Sequence, residues 1–333
     1  MGAAAIGVTA SAAVATASAA TVTESGSSLV YPLVVKWSQT YSGATVQPHS
    51  TGSGKGINLV QIGQINIGAS DAPMTSSQYG GASKNPIQIP WALSATGVGY
   101  HIPGVGYGLR LNGTLLAEIF SGTIKTWNNK AILKLNPRYA RALKKAGAIT
   151  PVVRSDGSGD SYAFQHYLTV AGGKAWKYSY STSWGSPAGT GENGNSGVAG
   201  EVASNKGTIG YISAYYLINQ HITTAAVENS AGNFEFPNAR NIANAAASNS
   251  KITGQGAGFT GISIVDPSKK YKIAYPISTY TYAIVNPGQA NAADIKAFLT
   301  WATTTGQAYG AALDFVPLPA KIRSADAGLI SQV

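Results

Sequence analysis

The chain has 333 residues, of which 44% are apolar and only 11% charged, with 40 glycines and a formal charge of +10. That length and apolar share suit a folded protein with room for two domain cores, not a disordered one. With no cysteine in the chain, disulfide frameworks, zinc–thiolate sites and thiol nucleophiles are excluded.

Met1 to Ala20 is almost wholly Ala, Val, Ile, Gly, Ser and Thr, and Ala17-Ser18-Ala19 has the small-x-small form of a signal-peptide cleavage site. No Lys or Arg precedes the apolar stretch. An export signal or its remnant is expected over residues 1–23, with a low-complexity Ala-rich tail as the plain alternative. No later run reaches the roughly 20 apolar residues of a membrane helix, so a soluble mature chain is expected.

Residues 29–41 place Val30, Leu33, Val34, Trp37 and Tyr41 on one helical face. Ser27 or Ser28 suits the cap, and Pro32 is tolerated in the first turn. A short strand is expected at Val46–His49, a helix at Ile57–Ile62 and a strand at Ile65–Gly68 that ends on Ala69-Ser70-Asp71. This rhythm argues for α/β construction with a largely parallel sheet. Ile87–Ile102 and Tyr275–Val285 read as extended crossings between two domains. Between them come helices at Leu115–Phe120, Lys130–Leu135 and Arg138–Ala146, a strand at Thr150–Val153 and a helix from about Ser161. Tyr178–Gly200, rich in Ser, Gly and Asn, reads as loop. A strand at Thr208–Ser213 follows, and a final helix at Asp294–Thr303. No internal repeat of solenoid length is present, and the six tryptophans read as core or interdomain packing.

Charge is unevenly placed. Eight basic residues lie between Lys125 and Arg154 with no acid among them, and Arg110 stands just upstream. The plain reading is a solvated helix surface; the sharper one is a face for small anions, anionic lipid or nucleic acid. Nucleic acid is disfavoured, because no aromatic-rich strand, zinc module or recognition-helix pattern accompanies the charge. Divided at the crossings, residues 1–99 with 276–333 carry six bases and five acids, and residues 100–275 carry seventeen bases and eight acids. The first part is nearly neutral at +1 and the second is strongly basic at +9.

Three short segments share a physical theme. Gly26-Ser27-Ser28-Leu29, Gly52-Ser53-Gly54-Lys55-Gly56 and Arg154-Ser155-Asp156-Gly157-Ser158-Gly159-Asp160-Ser161 each open a helix. Each offers unpaired backbone N–H groups, a hydroxyl and the positive end of a helix dipole, the elements of an oxyanion site. Alone, each is as readily a simple cap. Nucleotide fingerprints are absent: there is no GxxxxGK[ST], and no GxGxxG follows an expected strand. The four histidines have no metal-binding spacing, and no GxSxG elbow surrounds Ser158.

In order along residues 24–320, these segments resemble one family, the phosphate-binding proteins of bacterial and archaeal phosphate ABC importers. The most specific pieces are Gly68-Ala69-Ser70-Asp71-Ala72-Pro73-Met74 and Arg154-Ser155-Asp156-Gly157-Ser158-Gly159. Leu115–Pro137, Gly194–Tyr215 and Ile277–Tyr282 resemble its helix-and-Trp stretch, its second-lobe segment and its return crossing. The resemblance implies an α/β, two-lobed periplasmic-binding-protein type II fold with two inter-domain crossovers. Lobe I would comprise residues 24–99 plus 276–333, and lobe II residues 100–275. By position, Ser28 with the Leu29 amide, Ser53, Asp71, Arg154, Ser158, Gly159 and Asp160 match phosphate ligands, and Asp156 matches the carboxylate that orients the arginine. Two positions depart from the common pattern. Leu29 stands where Phe is frequent, and Asp160 stands where Thr or Ser is a ligand. A carboxylate beside a dianion repels it, so the Asp160 side chain is expected to turn away and leave only its backbone N–H for the ligand.

The function implied is extracytoplasmic binding of inorganic phosphate and delivery to a membrane permease, by a periplasmic or cell-surface monomer with no cofactor, no metal and no covalent chemistry. A phosphatase or phosphoryl transferase would need a metal cluster or an activated nucleophile, and neither pattern is present. A third reading is a phosphate sensor or a scavenger of another oxyanion.

Overall fold

A computed structural model describes residues 20–333. The proposed export segment lies almost wholly outside them. Its expected end at residue 23 falls inside the first strand, β1 (Thr21–Gly26), where Val22 is already fully buried. Four of its six residues are buried, because β1 lies between β2 and β3 in the sheet, and its polar Thr, Glu and Ser had masked the strand.

The other strands are β2 (Thr45–Ser50), β3 (Ile67–Ser70), β4 (Ile87–Tyr100), β5 (Arg110–Leu111), β6 (Thr150–Arg154), β7 (Thr190–Glu192), β8 (Thr208–Ser213), β9 (Ala226–Glu228), β10 (Phe234–Glu235) and β11 (Ser278–Val285). Eight of them form one sheet in the order β2-β1-β3-β11-β4-β8-β6-β7, and β10-β9-β5 form a second, smaller one. β1 is parallel to β2 and β3, and β6 is parallel to β7 and β8. These are the two parallel halves expected of strand–helix–strand units.

β4 joins the halves. Its residues Ile87–Ala95 pair antiparallel with β11, and Thr96–Tyr100 pair antiparallel with β8. All fourteen of its residues are buried, which explains a nearly unbroken apolar run. Pro90, paired with Tyr282, sits beside the point where the β4–β11 register shifts between Thr281 and Tyr282, the kind of irregularity at which a strand tolerates proline. Ile277 accepts the Thr96 amide beside this strand, so the outgoing and returning chains cross side by side.

One core is built around Trp37, Trp91 and Phe298, with Trp37 and Trp91 edge-to-face at 5.4 Å. A second gathers Phe120, Trp127, Phe164 and Tyr211, where Phe164 stacks on Tyr211 at 4.8 Å. Trp37, Trp91 and Trp127 are fully buried, as packing residues should be.

Three expectations fail in detail. Tyr178–Gly200 is not all loop, because it contains β7 and the start of the helix Gly194–Ser204. Gly, Ser and Asn hide this helix in the sequence. Its Val198, Ala199 and Val202 nevertheless pack fully buried against Val152 and Ile212, so tertiary burial outweighs weak propensity. The helix at Ala292–Thr303 is not the last, since Ala320–Ile330 follows it. The first helix starts at Tyr31 with no side-chain cap of its own from Ser27 or Ser28, although Ser27 Oγ accepts the Leu29 and Val30 amides just before it.

Candidate functional site

The three helix-opening segments meet on the boundary between the two lobes. Helix Tyr31–Thr40 follows β1, helix Ser53–Gln61 follows β2, and helix Gly159–Ala171 follows β6. In each parallel half-sheet the strands' carboxyl ends feed helix N-termini, and β6 runs opposite to β1 and β2, so the starts of the two halves face each other across the lobe boundary. The amides of Ser28, Ser53, Gly159 and Asp160 find no acceptor among the described residues. Ser158 caps its helix by accepting the Ser161 amide at 3.3 Å.

Asp71 stands at the end of β3, only 2% exposed. Its Oδ1 accepts from Ser27 Oγ at 2.7 Å and Thr281 Oγ1 at 2.7 Å. Its Oδ2 accepts from Ser27 Oγ at 2.6 Å and Ser53 Oγ at 3.3 Å. Burial, and then the negative charge of Asp160, push its carboxyl up to about 7 against the pull of these hydroxyls.

Arg154, the last residue of β6, is 2% exposed. Its Nε donates to Asp156 Oδ1 at 2.7 Å and its Nη2 pairs with Asp156 Oδ2 at 2.5 Å. This two-pronged grip fixes the guanidinium plane. Burial pushes Asp156 up, but the bonds from Arg154 outweigh it and hold the carboxyl below its usual range. The position expected to orient the arginine therefore does touch it.

Asp160 corrects the expectation of an outward carboxylate. It is 1% exposed. Its Oδ2 meets Arg154 Nη1 at 3.0 Å and Asn195 Nδ2 at 2.7 Å, and its Oδ1 accepts from Thr96 Oγ1 at 2.7 Å. The repulsion that argued for an outward side chain is met by an ion pair instead. Burial still pushes this carboxyl up, beyond what Arg154 takes back.

Contacts across the lobe boundary are close. Ser28 Oγ accepts from the amide of Asn195 at 3.2 Å and from its Nδ2 at 3.0 Å, and the Gly54 amide donates to the Gly157 carbonyl at 2.8 Å. A Cβ on Gly159 would lie 2.4 Å from Asp71 Cβ, and one on Gly52, where φ is +86°, would lie 2.3 Å from Asp156 Oδ2. Only glycine allows these approaches. The Leu29 amide departs from expectation, because it donates to Ser27 Oγ at 3.1 Å.

Sequence reasoning missed four groups in this cluster: Ser27 as a partner of Asp71, Thr96, Asn195 and Thr281. Ser27 and Thr281 lay inside quoted motifs, but nothing in their spacing distinguished them from caps or strand residues. Asn195 lay in the segment read as loop.

The site thus combines a buried acceptor, a fixed guanidinium, hydroxyls and convergent amides on an α/β fold of two lobes, which is the architecture of a solute-binding protein. Residues 10–305 match the family model described as PBP superfamily domain. The chain is 34% identical over 306 residues to the phosphate-binding protein PstS of Xylella fastidiosa, covering 89% of this chain and 80% of that protein. It is 32% identical to PstS of Pasteurella multocida, covering 90% and 87%. The fold is similar to the phosphate-binding protein of Stenotrophomonas maltophilia, with a TM-score of 0.74 at 19% identity, covering 93% of this chain and 94% of that one. It is also similar to an ABC-type phosphate transport receptor of Vibrio cholerae, with a TM-score of 0.55 at 18% identity, covering 89% and 99%. The chain belongs to the PstS family of phosphate-binding proteins within the periplasmic-binding-protein superfamily.

Proposed function

We propose that this protein binds inorganic phosphate between its lobes, outside the cytoplasmic membrane, and hands it as a monomer to the membrane permease of an ABC importer. The lobes divide in β4 and just before β11, so that residues 24–99 with 276–333 face residues 100–275. Binding draws the lobes together by bending at these two crossings.

One observation carries the reading: Asp71 and Arg154 lie buried on opposite sides of the lobe boundary, among amides from three helix starts that find no acceptor among the described residues. In this reading Arg154 and the amides of Ser28, Ser53, Gly159 and Asp160 donate to phosphate oxygens, with the hydroxyls of Ser28 and Ser158, while the Ser53 hydroxyl stays on Asp71. Leu29 contributes through backbone placement, its amide being shared with Ser27. A carboxylate has about four acceptor positions, so Asp71 keeps room beside its three hydroxyl donors to accept from a P–OH group. Sulfate has no proton at neutral pH and would set two acceptors face to face. This chemistry requires no nucleophile and no metal, and phosphate leaves unchanged.

Seven of the eight basic residues between Lys125 and Arg154 are exposed, in keeping with a solvated surface that raises the local anion concentration. Arg154 alone is buried in the site. Calorimetry on ligand-free protein with phosphate, sulfate and arsenate tests the proposal. Tight binding of phosphate and arsenate with sulfate much weaker is expected. Equal binding of all three, or none of phosphate, overturns it.

A further inference from the structure

Inside the site one guanidinium faces three carboxylates. Arg154 divides its donors between Asp156 and Asp160. Asp71 has no ion pair among the described residues, and its donors are all hydroxyls. One positive and three negative formal charges leave this buried cluster at −2 before an oxyanion enters. Three helix starts, at roughly half a positive charge each, offset most of that −2 and leave little for a dianion.

The other titratable groups around the cluster add no positive charge. Tyr211, from β8, accepts the Arg154 amide at 2.9 Å and shares a 2.7 Å hydrogen bond with Ser161 Oγ. Tyr216 lies close enough to feel Asp160, Arg154 and Tyr31. Tyr162 and His166 line a small cavity with Asp71. Burial pushes Tyr162, Tyr211 and Tyr216 up, so they stay protonated and neutral. Burial pushes His166 down, and its ring stacks on Tyr180 at 4.3 Å. It is neutral at neutral pH.

Resting on the phosphate reading above, we infer that Asp160 makes this site take up phosphate together with a proton. The bound form is dihydrogen phosphate, or equivalently hydrogen phosphate against one protonated carboxyl. The balance is protein plus HPO4 2− plus H+ giving the complex, with no bond to phosphorus formed or broken. Geometry supports the assignment twice over. Asp71, on the first lobe, accepts one P–OH. Asp160 Oδ1, whose only partner among the described residues is Thr96 Oγ1, has acceptor positions left for a second from the other lobe. Were position 160 neutral, the cluster would stand at −1, and one P–OH against Asp71 would suffice. The upward push on both buried carboxyls is in accord with this: a group held back from ionising takes up a proton more readily when an anion arrives.

Calorimetry of phosphate binding in buffers of different ionisation enthalpy counts the protons. About one proton should be taken up per phosphate at about pH 8, where free phosphate is mainly the dianion, and affinity should fall about tenfold per pH unit above neutrality. Asp160→Asn should bind about tenfold more tightly at that pH and take up clearly less proton. His166→Asn should leave the proton count unchanged. Phosphate binding without proton uptake, or an affinity level from acid to alkaline pH, overturns the inference while leaving the phosphate reading intact. Loss of uptake in His166→Asn also overturns it, by placing the proton on the imidazole. Failure to bind phosphate at any pH overturns the parent reading instead. Should Asp160→Asn misfold by circular dichroism, the wild-type proton count still decides.

Discussion

The two lobes furnish the same small site by opposite means. On the first, Asp71 is surrounded by the hydroxyls of Ser27, Ser53 and Thr281, with no ion pair among the described residues. On the second, Arg154 is held between Asp156 and Asp160, and the side-chain acceptors on its guanidinium among the described residues are these two carboxylates. The first arrangement is an adjustable acceptor, because neutral donors leave its protonation responsive to what lies opposite. The second is a charge fixed in place, since two carboxylates leave the guanidinium one orientation. The charges of +1 on residues 1–99 with 276–333 and +9 on residues 100–275 do not describe this contrast. The second lobe's basic run is exposed and screened by salt beyond about 8–10 Å, and within the site that lobe brings more acid than base.

The largest expected effect comes from removing the fixed charge. Arg154→Ala should weaken phosphate binding by about a thousandfold or more, about 4 kcal/mol. It should also destabilise the protein by about 3–5 kcal/mol, because Asp160 is left buried without its cation. Titration calorimetry and thermal melts of the same samples check both. Unchanged melting would mean that Asp160 is not held by Arg154 in solution.

Next is the contact between the lobes. In Gly159→Ala the new methyl would occupy the space of the Asp71 side chain, 2.4 Å away. Affinity should fall by roughly a hundredfold, about 3 kcal/mol. The drop in radius of gyration that phosphate produces in the wild type should shrink or vanish in small-angle scattering. A variant that contracts like the wild type would show that the lobes do not meet at this glycine.

A smaller effect sharpens the acceptor half. Asp71→Asn can donate as well as accept, so phosphate should lose about tenfold against sulfate, about 1.4 kcal/mol. Competition between the two anions measures the ratio directly. An unchanged ratio would remove Asp71 as the discriminating group.

The smallest effect on binding lies outside the site. Asp326, in helix Ala320–Ile330, is fully buried, and neither carboxyl oxygen has a partner among the described residues. Burial pushes it up to about 8. The sign follows from linkage. The folded chain holds this proton more tightly than the unfolded one, so the contribution is complete below the ordinary carboxyl range and is lost as pH rises towards about 8. Wild-type protein should lose a few kcal/mol from this group over that span, at about 1.4 kcal/mol per tenfold change in proton affinity. Asp326→Asn should melt with a flatter pH dependence and bind phosphate as the wild type does. Parallel melting curves across pH for the two proteins would refute the assignment.

Much of this was legible in the residues. Val30, Leu33, Val34 and Trp37 announced a helix by their spacing, and Gly26, Gly52 and Gly159 announced helix starts beside strand ends. Ile87–Tyr100 was readable as a crossing because a strand buried on both faces is apolar throughout. The helix at Gly194–Ser204 was not, since its buried face is small and its composition is that of a loop. Asp160 was misjudged for a related reason. Local electrostatics at a helix start favours an outward acid, and that preference is worth at most a few tenths to one kcal/mol. A buried arginine six residues earlier in the chain overrides it.

From the order of its residues alone, this protein had its α/β construction and its three anion-ready helix starts determined, because these rest on local periodicity and capping chemistry, while Asp71 and Arg154 were singled out through short motifs that resemble a known family. Only the tertiary structure decided which hydroxyls reach Asp71, that Asn195 bridges Ser28 to Asp160, and that Asp160 turns inward. Those contacts join residues as many as 210 positions apart, Thr281 to Asp71 being the longest. They depend on where β3, β4, β6 and β11 lie in one sheet, which no local pattern encodes.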